Sequence, residues 1–204
     1  AHRDPYDHAV SAVGLELTEI GFPGSTRPQE LQRALGPDVA LVLWRPRRPG
    51  DLLDLATVAE LAHQAGVPVL VDAAMDVPPL DRLHRMIEDG ADLIAVSAGK
   101  AFRGPQNAGI LCGRPELIAA VALHHQDMDI RESTWQPSDV TGVALVRGRH
   151  GIGRGMKVGR EQIAGLLVAI EEFVGDPGAW REHYEQELVA CTAALVGIAR
   201  LSVA

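Results

Sequence analysis

Residues 67–72 read Val-Pro-Val-Leu-Val-Asp, a short apolar run that one aspartate closes. Such a run is typical of a strand that is buried on both faces of a parallel sheet. A second run, Asp92-Leu-Ile-Ala-Val96, follows a helical pattern and leads into the turn Ser97-Ala-Gly-Lys100. Asp72 and Lys100 are therefore predicted at the carboxyl ends of two successive strands, which is where open parallel sheets bind their ligands.

The rest of the chain continues this alternation of strands and helices. Further strands are predicted at 15–20, 39–44 and 108–112, and helices at 27–35, 51–64, 80–88, 115–123, 160–174 and 179–199. Strands and helices in this order, with short connections, indicate right-handed βαβ units. We therefore predict an α/β fold, a mainly parallel sheet flanked by helices.

A change of composition indicates a domain boundary near residue 145. The alternation stops over 124–155, and glycines accumulate towards the end of that stretch. We expect residues 1–145 to form a large domain, and residues 146–204 a linker and the beginning of a smaller α-rich domain. Both ends of the chain look cut, since it opens without a methionine and stops directly after a helical pattern.

Composition excludes several classes of protein. Of the 204 residues, 47% are hydrophobic and 23% charged, which is typical of a globular chain, and the net charge of −8 argues against a nucleic-acid-binding surface. Cys112 and Cys191 lack metal-type spacing and are interpreted as reduced, buried thiols of a cytoplasmic protein. The apolar stretches fall short of the ~18 residues that span a membrane, so we expect no membrane partner.

A carboxylate and an amine at neighbouring strand ends are the minimum protein chemistry that pyridoxal 5'-phosphate requires. The acid can pair with a protonated ring nitrogen, and the amine can form a Schiff base. Ser97 can direct its hydroxyl at a phosphate, and Gly99 and Gly104 permit close backbone approach. The alternative is that Asp72 caps a loop and Lys100 is a solvated amine. Their shared position at strand ends favours the cofactor site.

Two motifs resemble a known family. Val71-Asp-Ala-Ala74, followed by Ser97-Ala-Gly-Lys-Ala-Phe-Arg-Gly-Pro-Gln106, is similar to the fold-type I pyridoxal-phosphate enzymes. More narrowly, it resembles the branch related to bacterial selenocysteine synthase (L-seryl-tRNA selenium transferase), which includes aminotransferase-like proteins and ammonia-lyases. Residues 151–167, Gly-Ile-Gly-Arg-Gly-Met-Lys-Val-Gly-Arg-Glu-Gln-Ile-Ala-Gly-Leu-Leu, resemble the segment by which this branch enters its C-terminal domain. The resemblance runs from about residue 2 to residue 173.

The resemblance implies roles for three residues of the large domain. Lys100 is implied to be the Schiff-base lysine, Asp72 the partner of the ring nitrogen, and Ser97 a phosphate contact. In this family a glycine- or serine-rich turn supplies most phosphate contacts, and a ring-stacking residue follows it. Both precede the point where this chain begins, so we expect an incomplete large domain that lacks its N-terminal part.

Substrate contacts are implied at three further positions, each with a structural alternative. Arg103 binds a phosphate or a substrate carboxylate, or else forms a surface salt bridge. Gln106 lines the pocket or, as we favour, stabilises the turn. Arg154, with Lys157, binds a substrate carboxylate or is part of a solvated pair where a helix begins.

The implied function is that of a pyridoxal-phosphate-dependent enzyme acting on an amino acid or an amino sugar acid. It works through a lysine Schiff base and deprotonation of the α-carbon, and lyase or elimination chemistry is favoured over transamination. A homodimer or larger even homo-oligomer is expected. The alternatives are a selenium-transferase-like enzyme acting on seryl-tRNA, a non-catalytic α/β homologue with a structural or regulatory role, and a nucleotide-binding module.

Three polar segments stay outside this scheme. Residues 124–129, His-His-Gln-Asp-Met-Asp, carry possible metal ligands, but adjacent histidines point apart on a helix. We expect no metal there, and the resemblance implies that the segment lies near the pocket mouth or the dimer interface. Residues 45–48, Arg-Pro-Arg-Arg, are interpreted as a solvated loop. The segment 2–8, which contains Tyr6, either approaches the cofactor or is a frayed terminus.

Overall fold

The computed structural model describes residues 6–21, 25–46, 53–125, 151–176, 178–196 and 198. Within these ranges the strands are β1 (Val42–Trp44), β2 (Val69–Asp72), β3 (Leu93–Ser97) and β4 (Gly109–Gly113). The helices are α1 (Asp7–Ala12), α2 (Pro28–Ala34), α3 (Leu55–Gln64), α4 (Asp81–Glu88), α5 (Pro115–His124), α6 (Arg160–Gly175) and α7 (Ala179–Leu195). The expected domain boundary near residue 145 lies outside the described residues and stays a prediction.

The four strands form one sheet in the order β1-β2-β3-β4. The pairs β1–β2 and β2–β3 are parallel, whereas β3 and β4 are antiparallel. Parallel neighbours need a crossover of about a dozen residues or more, usually with a helix, and α3 and α4 supply it. Residues 98–108 between β3 and β4 contain no helix, so the chain turns back and β4 pairs antiparallel. The prediction of an α/β fold with a mainly parallel sheet is confirmed.

Helix α3 shows how sequence pattern and packing agree. Asp54 caps its first turn, since the carboxylate accepts hydrogen bonds from the amide of Thr57 at 2.8 Å and from its hydroxyl at 3.0 Å. The apolar residues of the helix recur on one face and are buried against the sheet: Leu55, Val58, Ala59 and Ala62. Gly66 follows with φ of +72°, the left-handed conformation that ends many helices.

The prediction of a strand over 15–20 is wrong. These residues pair with no strand in the described part of the chain, and Leu15 is 54% exposed. Alternation of polar and apolar residues marks a face that can be buried, but a strand also needs a neighbour to pair with. The predicted strands at 39–44, 67–71, 92–96 and 108–112 are confirmed within a few residues.

Asp92 links three elements at the amino-terminal edge of the sheet. It is the buried charged side chain of the described core, 4% exposed. Its carboxylate accepts hydrogen bonds from the Val69 amide at 2.7 Å, from His63 Nε2 at 2.8 Å and from Arg114 at 2.9 Å. Burial alone would raise the pKa of Asp92, but the donors outweigh it and hold the pKa below its usual value.

None of the described helices is long and apolar enough to cross a membrane. The prediction that both cysteines are buried is wrong: Cys112 is only partly buried, and Cys191 is exposed on α7.

We expect Asp92→Asn to lower the free energy of unfolding by about 2–4 kcal/mol, because three donors lose a buried and charged acceptor. The lowered pKa of Asp92 means that its contribution is present above the unfolded value of about 3.9 and is lost as the pH falls through the folded value. Urea unfolding between pH 7 and pH 2 measures both effects. The variant's stability should change less with pH than the wild type's in the acid range.

The matched control is Asp89→Asn, on an exposed carboxylate three residues away. It should stay within about 0.5 kcal/mol of wild type. Equal losses in the two variants would contradict a linking role for Asp92.

Candidate functional site

Three parallel strands bring polar side chains to one edge of the sheet. Arg45 follows β1, Asp72 is the last residue of β2, and Ser97 is the last residue of β3. Asp72 is in register with Ala95, and the Ala73 amide donates to the Ala95 carbonyl at 2.9 Å. The carboxyl ends of these strands therefore coincide, as the sequence predicts for Asp72 and Ser97.

Asp72 has a defined set of donors. The Tyr6 hydroxyl donates to Asp72 Oδ2 at 2.8 Å, and the Ala74 amide donates to Oδ1 at 3.2 Å. Arg45 Nε lies 4.0 Å from Oδ2, and the Arg45 guanidinium lies 5.5 Å from the centre of the Tyr6 ring. The Asp72 side chain is 17% exposed, so it is partly shielded from water while it still faces the strand-end surface.

Lys100 is exposed on the turn between β3 and β4. The Gly104 amide donates to the Ala98 carbonyl at 2.8 Å, and the Gln106 side-chain amide donates to the Gly99 carbonyl at 2.8 Å. Arg103 has φ of +58°, a left-handed conformation that is uncommon for residues other than glycine. The turn is thus closed by its own hydrogen bonds. Gln106 has the structural role that the sequence favours for it.

Helix α6 packs against the turn that carries Lys100. The rings of Phe102 and Phe173 pack edge to face, with centroids 4.9 Å apart. A Cβ atom added at Gly104 would lie 3.4 Å from the Ala169 side chain, and one added at Gly165 would lie 3.1 Å from Pro105. The segment after residue 151, recognised in the sequence as a separate motif, therefore continues into a helix that holds the turn in place.

Asp76 is a candidate site residue that the sequence alone does not indicate. It lies four residues after Asp72 in the same strand-end turn, 3.8 Å from Arg82. Burial raises the pKa of Asp76; the charge of Arg82 opposes this rise, Asp72 adds to it and Lys100 opposes it. The Asp76 carboxyl thus experiences the charges of both Asp72 and Lys100. The signal in the sequence is its position, four residues after the end of β2.

Arg154 lies on a different segment of the chain from Asp72, Ser97 and Lys100. It opens a 3-10 turn, Arg154–Met156, beside the end of α5. The Gly153 amide donates to the His124 carbonyl at 2.9 Å, so this turn packs against α5. Arg103, in contrast, is exposed on the Lys100 turn itself.

Among the described residues, no group of three or more His, Cys, Asp or Glu side chains could hold a metal ion. His124 and His125 are exposed at the end of α5, and the aspartates at 127 and 129 lie outside the described residues.

Comparison with known proteins decides the family. The family described as aminotransferase class-V matches residues 3–139, which is more than half of the chain. The chain belongs to the class-V aminotransferase family.

Proteins with different names share this similarity. The 5'-C-glycyluridine monooxygenase-decarboxylase of a Streptomyces species is 26% identical over 93% of this chain and 41% of its own length. The L-seryl-tRNA(Sec) selenium transferase of Moorella thermoacetica is 32% identical over 54% of this chain and 27% of its own length. A solved structure of D-glucosaminate-6-phosphate ammonia-lyase matches with a TM-score of 0.61 and 25% identity, over 79% of this chain and 37% of that chain.

These matches confirm the resemblance read from the two motifs, including its ammonia-lyase and selenium-transferase members. The chain spans between about a quarter and two fifths of the length of these relatives. Class-V aminotransferases and their relatives depend on pyridoxal phosphate, so this cofactor is expected here.

We expect Gly99→Ala to displace the Lys100 turn, because the new Cβ atom would lie 2.7 Å from Gln106 Cα. The expected loss in the free energy of unfolding is about 1–3 kcal/mol. Gly155→Ala is the matched control, since nothing lies within 4 Å of its added Cβ. Thermal unfolding measures both variants, and equal melting temperatures would contradict the close fit of Gln106 on Gly99.

The contact between α6 and the turn has a test of its own. Phe173→Ala removes one ring of the edge-to-face pair and should cost about 3–5 kcal/mol of unfolding free energy. Val174→Ala, at a neighbouring residue that is 52% exposed, should cost less than about 1 kcal/mol. Chemical denaturation measures the free energy of unfolding of both variants. A loss for Phe173→Ala as small as that for Val174→Ala would show that the packing of α6 on the turn does not stabilise the core.

Proposed function

We propose that this chain is part of a pyridoxal-phosphate-dependent enzyme in which Lys100 holds the cofactor. The observation that carries the proposal is the meeting of a carboxylate, a hydroxyl and an amine, from Asp72, Ser97 and Lys100, at one edge of the sheet. This donor set fits the cofactor, which presents a ring nitrogen, a phosphate and an aldehyde. The cofactor, when bound, supplies an electron-accepting ring to the substrate's α-carbon.

Lys100 would contribute its Nζ atom in two ways. The amine is exposed on a turn with fixed ends, so a carbonyl carbon can reach it without rearrangement of the strands. In its unprotonated form, Nζ can also accept a proton from a carbon placed beside the turn. The Asp76 carboxyl lies near enough to experience the Lys100 charge, which opposes the rise in the pKa of Asp76 that burial causes.

Asp72 and Ser97 would bind and orient. The Asp72 carboxylate keeps acceptor capacity beyond its bonds to Tyr6 and Ala74, since an ionised carboxylate offers about four lone-pair sites. It can therefore accept a hydrogen bond from a protonated ring nitrogen. The Ser97 hydroxyl, at the end of the next strand, can donate to a phosphate oxygen.

Substrate contacts are proposed for Arg103 first. Its side chain is exposed beside Lys100, and a guanidinium can bind a carboxylate through two hydrogen bonds. Gln106 is already engaged with Gly99, so we propose for it only a contact through its remaining amide oxygen. From the 3-10 turn beside the end of α5, Arg154 would bind a substrate carboxylate.

The proposed reaction begins with removal of a proton from the α-carbon of an amino acid or an amino sugar acid. We favour a lyase or elimination outcome over transamination, and the structural likeness to an ammonia-lyase supports this preference. From the resemblance we also propose a homodimer or larger even assembly, located in the cytoplasm.

Trapping with borohydride tests the role of Lys100. The chain has two lysines, Lys100 and Lys157, so peptide mass spectrometry assigns a reduced pyridoxyl group without ambiguity. We expect the label on Lys100 in wild type and in Lys157→Arg, and its loss in Lys100→Arg. A label that is absent, or divided equally between the two lysines, would overturn the proposal and favour a non-catalytic homologue.

Asp72→Asn separates a bound cofactor from random amine chemistry. If Asp72 orients the cofactor, labelling of Lys100 should fall by about tenfold, which corresponds to the loss of one charged hydrogen bond. Labelling of Lys157 should not change. Equal labelling of Lys100 in wild type and in Asp72→Asn would show that Asp72 does not orient the cofactor.

A further inference from the structure

Two residues from distant segments, Tyr6 and Arg45, meet at Asp72. Tyr6 comes from the N-terminal segment, 66 residues earlier in the chain, and its hydroxyl donates to Asp72 Oδ2 at 2.8 Å. Arg45 comes from the basic stretch after β1, and its Nε atom lies 4.0 Å from the same oxygen. For the first segment the sequence leaves two alternatives, an approach to the cofactor or a frayed terminus, and for the second it predicts a solvated loop. The structure contradicts the frayed terminus at Tyr6 and the solvated loop at Arg45.

The two residues also contact each other. The Arg45 guanidinium carbon lies 5.5 Å from the centre of the Tyr6 ring, within the range of a cation–π interaction. Tyr6, Arg45 and Asp72 therefore form a closed group of three contacts. Because the Arg45 and Asp72 side chains are 29% and 17% exposed, their interactions are only partly screened by water.

The carboxylate of Asp72 is fixed at both oxygens by this arrangement. Oδ1 accepts from the Ala74 amide at 3.2 Å, and Oδ2 accepts from the Tyr6 hydroxyl. One bond alone would leave the carboxylate free to rotate about its last torsion, whereas two bonds on different oxygens define its plane. Arg45 adds a positive charge on the Tyr6 side, 4.0 Å from Oδ2, and this charge attracts the carboxylate.

We propose that Tyr6 and Arg45 are positioning residues, which hold Asp72 as an oriented anion for the ring nitrogen of the cofactor. They act through Asp72 and do not need to touch the cofactor themselves. This inference rests on the proposed function, and it adds the N-terminal segment and the end of β1 to the site.

The test compares binding of pyridoxal phosphate, followed by its absorption spectrum, in wild type and in Tyr6→Phe. Removal of the hydroxyl should weaken binding by about three- to tenfold, because Asp72 loses one of its two orienting bonds. It should also raise the pH midpoint of the bound cofactor's absorption change by about half a unit. The reason is that the Asp72 carboxylate carries more negative charge towards the cofactor when the Tyr6 hydroxyl no longer donates to it. Tyr184→Phe, on exposed α7, is the matched control and should leave both values unchanged.

Arg45 is tested by a pair of variants. Arg45→Gln removes the charge and should weaken binding about threefold, whereas Arg45→Lys keeps the charge and should restore most of it. Arg85→Gln, at an exposed position of α4, is the control for the loss of one surface arginine. A purely structural role would lower the melting temperature in all the Arg45 variants without moving the pH midpoint in Tyr6→Phe.

The outcomes separate the two proposals. If wild type does not bind the cofactor, the proposed function fails and this inference fails with it. If wild type binds and Tyr6→Phe has the same affinity and the same pH midpoint, only the positioning role is overturned. Weaker binding together with the shifted midpoint, with rescue by Arg45→Lys, supports it.

Discussion

The short hydrogen bond from the Gly104 amide to the Ala98 carbonyl closes the turn on which the site depends. Ala98 is fully buried directly after β3, so the turn begins from a fixed point at the end of the sheet. Gln106 closes the other side by its bond to Gly99. Because both ends of the turn are fixed, Lys100 is exposed on a backbone of defined geometry. This suits the proposed role of its amine in binding the cofactor.

Two aspartates show how position in a sheet decides what a carboxylate does. Asp92 lies at the amino-terminal edge, where three donors from β2, α3 and the residue after β4 surround it and leave it buried. Asp72 lies at the carboxyl edge, where its donors leave part of its acceptor capacity open. The first holds elements together, whereas the second can still bind a ligand. The sequence alone did not single out Asp92, since its donors come from distant residues.

The sequence predicted the features that local pattern determines. Asp72, Ser97 and Lys100 were placed at strand ends because apolar runs define those strands, and the structure has them there. The contact of Tyr6 with Asp72 could not be predicted, since it joins residues 66 positions apart through a segment without a clear pattern. The antiparallel direction of β4 follows from the short connection after β3, which contains no helix. The strand predicted at 15–20 does not form, because these residues have no neighbouring strand to pair with among the described residues.

The small residues between α6 and the turn have a consequence for how this protein can vary. A Cβ atom added at Gly165 would lie 3.1 Å from Pro105, which is a tight contact, and one added at Gly104 would touch the Ala169 side chain at 3.4 Å. Added volume at either glycine therefore presses the turn and the helix against each other. We expect the two positions of each pair to change together among descendants of this sequence, so that the Lys100 turn and α6 are inherited as one unit although some sixty residues separate them.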